Sequence, residues 1–429
     1  MATSTVVKEI VVTTQTPFAF NLPLRAFALA MLGVLTTLAP GPGLAQTFNV
    51  LYNFTAGPGG GQPFAGLTMD AAGDFYGTTQ YGGSGPDGGY GVVFRLSREG
   101  SGWLDTPLYA FQGGSDGEYP LSGVVIGPDG ALYGTTSGDN VYGSYGTVYR
   151  LTPPPTACAS FLCPWRETVL YRFSGGSDGA NPSYGNLAFD HAGNIYGTTI
   201  FGGGAGDCGY GPGCGVVYKL TPSGSGWTET AIWDFGVGGG NFPASGVTLD
   251  SAGNLYGTTT YPTVYELSPS GSGWTETTLS ELDGSYPAYG GLVLDPHGNL
   301  FGTTGGFQGA GNVYELSPSN GGWTMSTLYT FSGYEGPLDT PTLDAAGNVY
   351  GTSYATGPYE EGQVFKLTPS NGSWIFTDMH DFNGSSGGGE PVGGVVFDAS
   401  GNMYGTTSAG GTGGSQCNGG CGTVWEITP

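Results

Sequence analysis

The 429-residue chain holds 86 glycines and 29 prolines, is 13% aromatic and only 10% charged, and carries 33 acidic against 9 basic residues. A net charge of −24 repels phosphate backbones and anionic lipid, which argues against nucleic acid and acidic membrane surfaces as partners. Its 27 Tyr, 22 Phe and 8 Trp supply apolar surface that disordered segments lack, so the glycines read as turns between short strands.

Residues 1–45 read as a secretory signal peptide. Lys8 and Arg25 give a basic leader, Ala26 to Ala39 an apolar run, and the small residues ending at Ala45 a cleavage site. That run of 14 residues is short of the ~20 a spanning helix needs, and no second one follows, so no transmembrane segment is expected in the mature chain. Removing Lys8, Arg25 and Glu9 leaves 7 basic and 32 acidic residues, a net charge of −25. An exported, soluble, acidic protein is expected, secreted or held in the cell envelope.

From residue 46 onward one unit recurs seven times, and its clearest copy runs Asp-Ser-Ala-Gly-Asn-Leu-Tyr-Gly-Thr-Thr from Asp250 to Thr259. The aromatic anchors Tyr76, Tyr133, Tyr196, Tyr256, Phe301, Tyr350 and Tyr404 lie 45 to 63 residues apart, the scale of stacked supersecondary units. Each unit reads as four strands. A short apolar strand such as Gly246 to Asp250 turns at a glycine, Gly253 in this copy, into the Tyr-Gly-Thr-Thr strand. Asn follows that glycine in five copies, as a residue tolerant of left-handed backbone. A third strand such as Pro262 to Leu267 leads through a polar turn and Trp274 to a fourth, Thr277 to Leu282.

The last unit has no fourth strand, because the chain stops at Pro429, but Phe48 to Phe54 is an unpaired strand of that type at the other end. A ring in which the first strand completes the last unit leaves no open edge. The expected fold is therefore all-β, a single seven-bladed β-propeller of four-stranded blades over residues 46–429. Loops between second and third strands and between blades fall on one face; they are the longer and more varied set, and binding residues are expected there.

The pattern Gly-x-Val/Leu-x-x-Asp-x-x-Gly-Asn-x-Tyr-Gly-Thr-Thr, followed by Gly-Gly and Gly-x-Val-Tyr-x-Leu, resembles the Gloeo-Verruco repeat of exported bacterial proteins. The resemblance covers nearly all of the mature chain. It implies a repeat-built envelope or extracellular protein without an assigned reaction, in a family whose members often carry a C-terminal anchoring segment. The copies depart from the pattern at Gly127 and Ala131, and at Ser280-Glu281-Leu282.

Six cysteines fall in three close pairs, Cys158 with Cys163, Cys208 with Cys214 and Cys417 with Cys421, and three local disulfides are expected. The repeated Asp70, Asp190, Asp250, Asp295, Asp344 and Asp398 offer one carboxylate per turn, too few for a calcium cage, and read as acceptors of backbone N–H groups. Asp116 and Asp178, in repeated Gly-Gly-Ser-Asp-Gly loops, are the calcium candidates; no other cofactor is expected. Tyr81, Tyr90, Tyr142, Tyr145, Phe201 and Tyr210 lie in the varied loops and are the candidates for stacking on a sugar ring. The histidines lack a nucleophile in a recognisable setting, so no catalytic residue is assigned. The expected function is a monomeric, non-enzymatic binding or scaffolding propeller with a glycan or envelope protein as partner. The alternative is a carbohydrate-active enzyme with a carboxylate pair near the channel mouth.

Overall fold

The Asp-to-Thr stretch folds as a hairpin, and the clearest copy shows why its residues recur. Asp250 Oδ1 accepts N–H bonds from Ala252 (2.8 Å) and Asn254 (2.9 Å), while Oδ2 accepts from Asn254 Nδ2 (2.9 Å) and Tyr256 Oη (3.2 Å). Gly253 takes the left-handed conformation, with φ of 87°. The Asn beside it does not share that conformation, as the sequence suggested; it is used for its side-chain amide, which ties the turn to the carboxylate. In the second unit, where Gly127 replaces the Asp, Asp129 takes over and accepts from Ala131 N (3.1 Å), Tyr133 Oη (3.0 Å) and Arg150.

The computed structural model describes residues 46–429 apart from 84, 86, 87, 139–142, 155–163, 205, 207, 209–212, 237–239, 262, 283–287, 307, 308, 334, 414–416 and 418. Its 28 strands form seven four-stranded antiparallel sheets, and no helix occurs among the described residues. The protein is a seven-bladed β-propeller. Blade 4 is typical, with strands Thr248–Leu249, Leu255–Thr258, Thr263–Ser270 and Gly273–Glu281. Blade 7 is completed by the N-terminal strand Thr47–Asn53, which pairs antiparallel with Thr423–Thr428. First strands hold only two ladder residues, shorter than the sequence pattern, because the backbone ahead of them bonds to the neighbouring blade instead. Thr248 Oγ1 of blade 4, for instance, donates to Leu292 O of blade 5 (2.5 Å).

Burial follows position in the blade. The second strand is buried throughout, as in Ile195–Thr199, and the third over its first five residues, as in Val216–Ser223, because blades cover both faces there, whereas the fourth alternates, as in Gly226–Asp234. The core is divided into seven clusters, one at each junction between neighbouring blades. Each Tyr-Gly-Thr-Thr glycine pairs with a large aromatic of the third strand, as Gly257 with Tyr265 and Gly405 with Trp425. A Cβ on Gly257 would lie 2.3 Å from Tyr265 Oη, so the missing side chain is what lets the ring lie across the strand.

The first threonine of that stretch links the ring. Its hydroxyl donates to a backbone carbonyl of the next blade in all seven copies, from Thr78 to Ser122 (2.7 Å) round to Thr406, which closes on Ala65 (2.8 Å). Disulfides join Cys208 to Cys214 and Cys417 to Cys421; Cys158 and Cys163 lie outside the described residues. No helix among the described residues is long and apolar enough to cross a membrane.

Candidate functional site

Backbone bridges such as Gly61–Tyr81, Ala180–Phe201 and Gly389–Ala409 tie interblade loops to the loop between second and third strands of the next blade. These loops share one face. Residues leading from it into the first strands of blades 1, 3, 4, 5, 6 and 7 enclose an axial cavity of about 320 Å3. This is the lower end of the size range of small-molecule sites.

Three departures from the repeat converge on that cavity. Asp339 stands in blade 6 where the threonine-bound positions of the other blades hold Ala65, Ser122, Pro182, Ser245, Gly290 and Gly393. Blades 3 and 5 carry one extra residue between the loop proline and the strand, which introduces Tyr184 and Tyr289. Tyr184 adopts a left-handed backbone, with φ of 62°, and its ring meets Tyr289 edge to face at 6.1 Å. A bulky residue held at positive φ is a strained conformation of the kind that concentrates at functional positions.

Asp339 supplies the one carboxylate among the lining residues, which include no Lys, Arg or His. Thr340 N donates to its Oδ1 (2.6 Å), and Gly394 N, from blade 7, to its Oδ2. The side chain is partly exposed to the lumen but ringed by protein, and lost hydration pushes its carboxyl up to about 7, against the N–H bond from Thr340. Burial likewise raises the Tyr184 and Tyr289 phenols.

Acidic residues flank the lining segments of blades 6 and 7 in the chain. Glu335 lies four residues before Asp339, and Glu390 two residues before the lining residue Val392. Tyr354 Oη donates to Glu390 Oε2 (2.8 Å). Burial raises the Glu335 and Glu361 carboxyls, and the nearby Glu390 charge adds to both.

The four described loop aromatics singled out in the sequence are not part of the cavity wall. Tyr81 and Tyr90 pack edge to face on Tyr119 at 6.0 and 6.2 Å, and Phe201 on Phe242 at 5.5 Å. Tyr145 lies under Gly175, where a Cβ would sit 2.6 Å from its ring. These four brace one loop against the next. Tyr142 and Tyr210 lie outside the described residues. Asp116 accepts from Tyr109 Oη (2.8 Å) and Gln112 N (3.0 Å), and Asp178 from Tyr171 Oη (3.0 Å), Ser174 N (2.8 Å) and Ser174 Oγ (2.6 Å). Both carboxylates shape their own loops. No group of three His, Cys, Asp or Glu placed to hold a metal ion occurs among the described residues.

Asp339, Tyr184 and Tyr289 lie outside the emphatic Asp-to-Thr repeat, in the less regular stretch between the loop proline and each first strand. Aligning that stretch across the seven copies shows the single carboxylate and the two added tyrosines.

The profile of the Gloeobacter/Verrucomicrobia repeat matches residues 30–163, 89–263, 164–342 and 260–429. No curated protein sequence matches the chain. Among solved structures, similarity extends to a candidate 6-phosphogluconolactonase of Bacteroides uniformis, at 13% identity and TM-score 0.48 over 74% of this chain and 84% of that one. A candidate oxidoreductase (glucose dehydrogenase) of Thermus thermophilus has 14% identity and TM-score 0.41 over 89% of this chain and all of that one, covered to 100%. PorZ, a surface component of the type IX secretion system of Porphyromonas gingivalis, has 13% identity and TM-score 0.48, covering 88% of this chain and 48% of its own. At these values the likenesses bear on neither activity nor ligand.

Proposed function

We propose, from the premise that the chain belongs to the Gloeobacter/Verrucomicrobia repeat family, that it is an exported, non-enzymatic propeller that binds a glycan of the envelope or extracellular space in its axial cavity. The observation that carries this reading is the convergence of Tyr184, Tyr289 and Asp339 on one concave site at the loop-rich face. Aromatic faces with a few fixed polar groups suit a sugar ring, which has an apolar face and a hydroxyl rim. Export is supported by the leader-like first 45 residues and fits the disulfides Cys208–Cys214 and Cys417–Cys421.

A glycan array probed with the purified propeller, with Tyr289→Ala in parallel, tests the reading. Binding that Tyr289→Ala abolishes is expected. An empty array together with a pull-down that recovers only an envelope protein would replace glycan binding with protein scaffolding.

One observation favours an enzymatic alternative. Burial and the nearby Glu390 charge raise the Glu335 and Glu361 carboxyls, as the acid of a glycoside-hydrolysing carboxylate pair is raised. Release of reducing sugar from bound glycans, lost in Glu390→Gln, is the result that would establish it.

A further inference from the structure

We infer that the axial cavity selects a cationic sugar, an amino sugar with a free ammonium group, with Asp339 as the ion-pair partner and Tyr184 and Tyr289 as the stacking platform. The inference rests on the glycan reading above and sharpens it. Asp339 is a carboxylate whose surroundings offer backbone N–H bonds from Thr340 and Gly394 but no basic side chain on the cavity wall. Two N–H bonds leave lone pairs on both oxygens and, in the ionised carboxylate, leave the charge unbalanced. A neutral sugar would satisfy the lone pairs alone; an ammonium group satisfies them and the charge, with a charge-assisted bond roughly twice as strong as a neutral one.

The surroundings act in the same direction. Glu335, Glu361 and Glu390 form a group of interacting carboxyls on the loop-bearing face, and the whole chain carries a net charge of −24, so the field favours cations there. An ammonium near the Tyr184 and Tyr289 rings also gains from their π faces. A bare metal ion is a poorer occupant, because one carboxylate does not make the six to eight oxygen ligands that calcium takes. The cavity of about 320 Å3 has room for one sugar ring, and the departures that form it occur in single blades, as a single asymmetric ligand requires.

D-glucosamine, N-acetyl-D-glucosamine and D-glucose share a ring and differ at one substituent, so calorimetric titration of the propeller with each isolates the ammonium. Glucosamine is expected to bind at least tenfold more tightly than glucose or the acetylated sugar. Asp339→Ser should erase that preference while the protein stays folded, because Ser122 and Ser245 occupy the same place in blades 2 and 4. Tyr289→Ala should weaken all three sugars together. Equal binding of the three sugars, or a glucosamine preference that survives Asp339→Ser, overturns the ammonium selection and leaves the glycan site standing. No binding of glucosamine overturns the inference as well, and the glycan array then decides separately on the broader reading.

Discussion

His380 lies flat on Phe48, with ring centroids 3.7 Å apart and planes 4° from parallel, and so joins the fourth strand of blade 6 to the strand that closes the ring. The same interblade position is filled round the propeller by matched pairs: Tyr52 with Asp105 (3.2 Å), Ser280 with Met325 (3.6 Å), and Tyr329 stacked on Phe376 at 4.2 Å. The chemistry differs from junction to junction, but the two members suit each other.

Burial against Phe48 and Phe382 lowers the His380 pKa from 6.5, partly opposed by the neighbouring Asp381 charge. A depressed imidazole means that the folded state binds the proton less well than the unfolded chain. Its contribution is therefore intact above the unfolded pKa and is lost as pH falls below 6.5. His380→Tyr, which installs the residue found at this position in Tyr52, Tyr109, Tyr171 and Tyr329, should remove that part of the acid sensitivity. Comparing Tm for the two proteins at pH 7 and pH 5 checks it; an unchanged difference between them would show that His380 does not titrate on unfolding.

Ring closure also depends on the Thr406 hydroxyl, which donates to Ala65 O across the junction between last and first blades. Thr406→Val keeps the shape and leaves a buried carbonyl without that donor, at a cost of about 1–3 kcal/mol. Urea unfolding should show a lower midpoint with unchanged m-value. Because six other junctions hold the same bond, Thr198→Val at an interior junction should cost a similar amount.

Gly257→Ala tests the close approach of Tyr265. The new methyl would stand 2.3 Å from Tyr265 Oη and 2.5 Å from Cζ, and the ring, only 1% exposed, has nowhere to move. Overpacking of this kind costs about 1–3 kcal/mol. Reversal by the double variant Gly257→Ala with Tyr265→Leu, measured by the same unfolding curve, would trace the loss to this contact.

Much of the fold was legible in the sequence because a repeat states its own architecture: seven copies, the hairpin glycine and the displaced strand Phe48 to Phe54 together specify blade number and closure. The site was less legible. Tyr81, Tyr90, Tyr145 and Phe201 drew notice as loop aromatics, yet they brace neighbouring loops, and that role depends on the partners Tyr119, Phe242 and Gly175 from the following interblade loop. Asp339 looked like one acid among many. What distinguishes it is the absence of any basic group on the same wall, a property of six blades brought together and not of any one segment.

The buried hydroxyls of Tyr149, Tyr218, Tyr265 and Tyr314 find no hydrogen-bond partner among the described residues. Blades 1 and 6 use Phe94 and Phe365 at the same position, which indicates that the ring and not the hydroxyl is required. Tyr218→Phe should leave stability unchanged or raise it by up to about 1 kcal/mol, since an unpaired buried hydroxyl is a cost in the folded state. A clear loss in the unfolding midpoint would reveal that the hydroxyl is satisfied in solution.

Three outer-strand carboxyls should give the propeller an unusual preference for mild acid. Burial pushes Asp105, Glu167 and Glu229 each up to about 7, and for the two glutamates the charges of Asp116 and Asp178, respectively, add to the effect. In the unfolded chain such groups titrate near 4. A raised folded pKa means that the folded state binds the proton better, so the contribution is full below the unfolded value and is lost as pH rises through 7. The turn carboxylates Asp190, Asp344 and Asp398 work the other way: burial acts to raise them, but the bonds from Asn and Tyr outweigh it and leave them low, so their support is lost only at more acid pH. Tm should therefore rise as pH falls from 8 to about 6 and drop again below about 4. Glu229→Gln should flatten the alkaline limb; a Tm that instead climbs steadily from pH 6 to pH 8 would show that these carboxyls are hydrated and ionise normally in the folded protein.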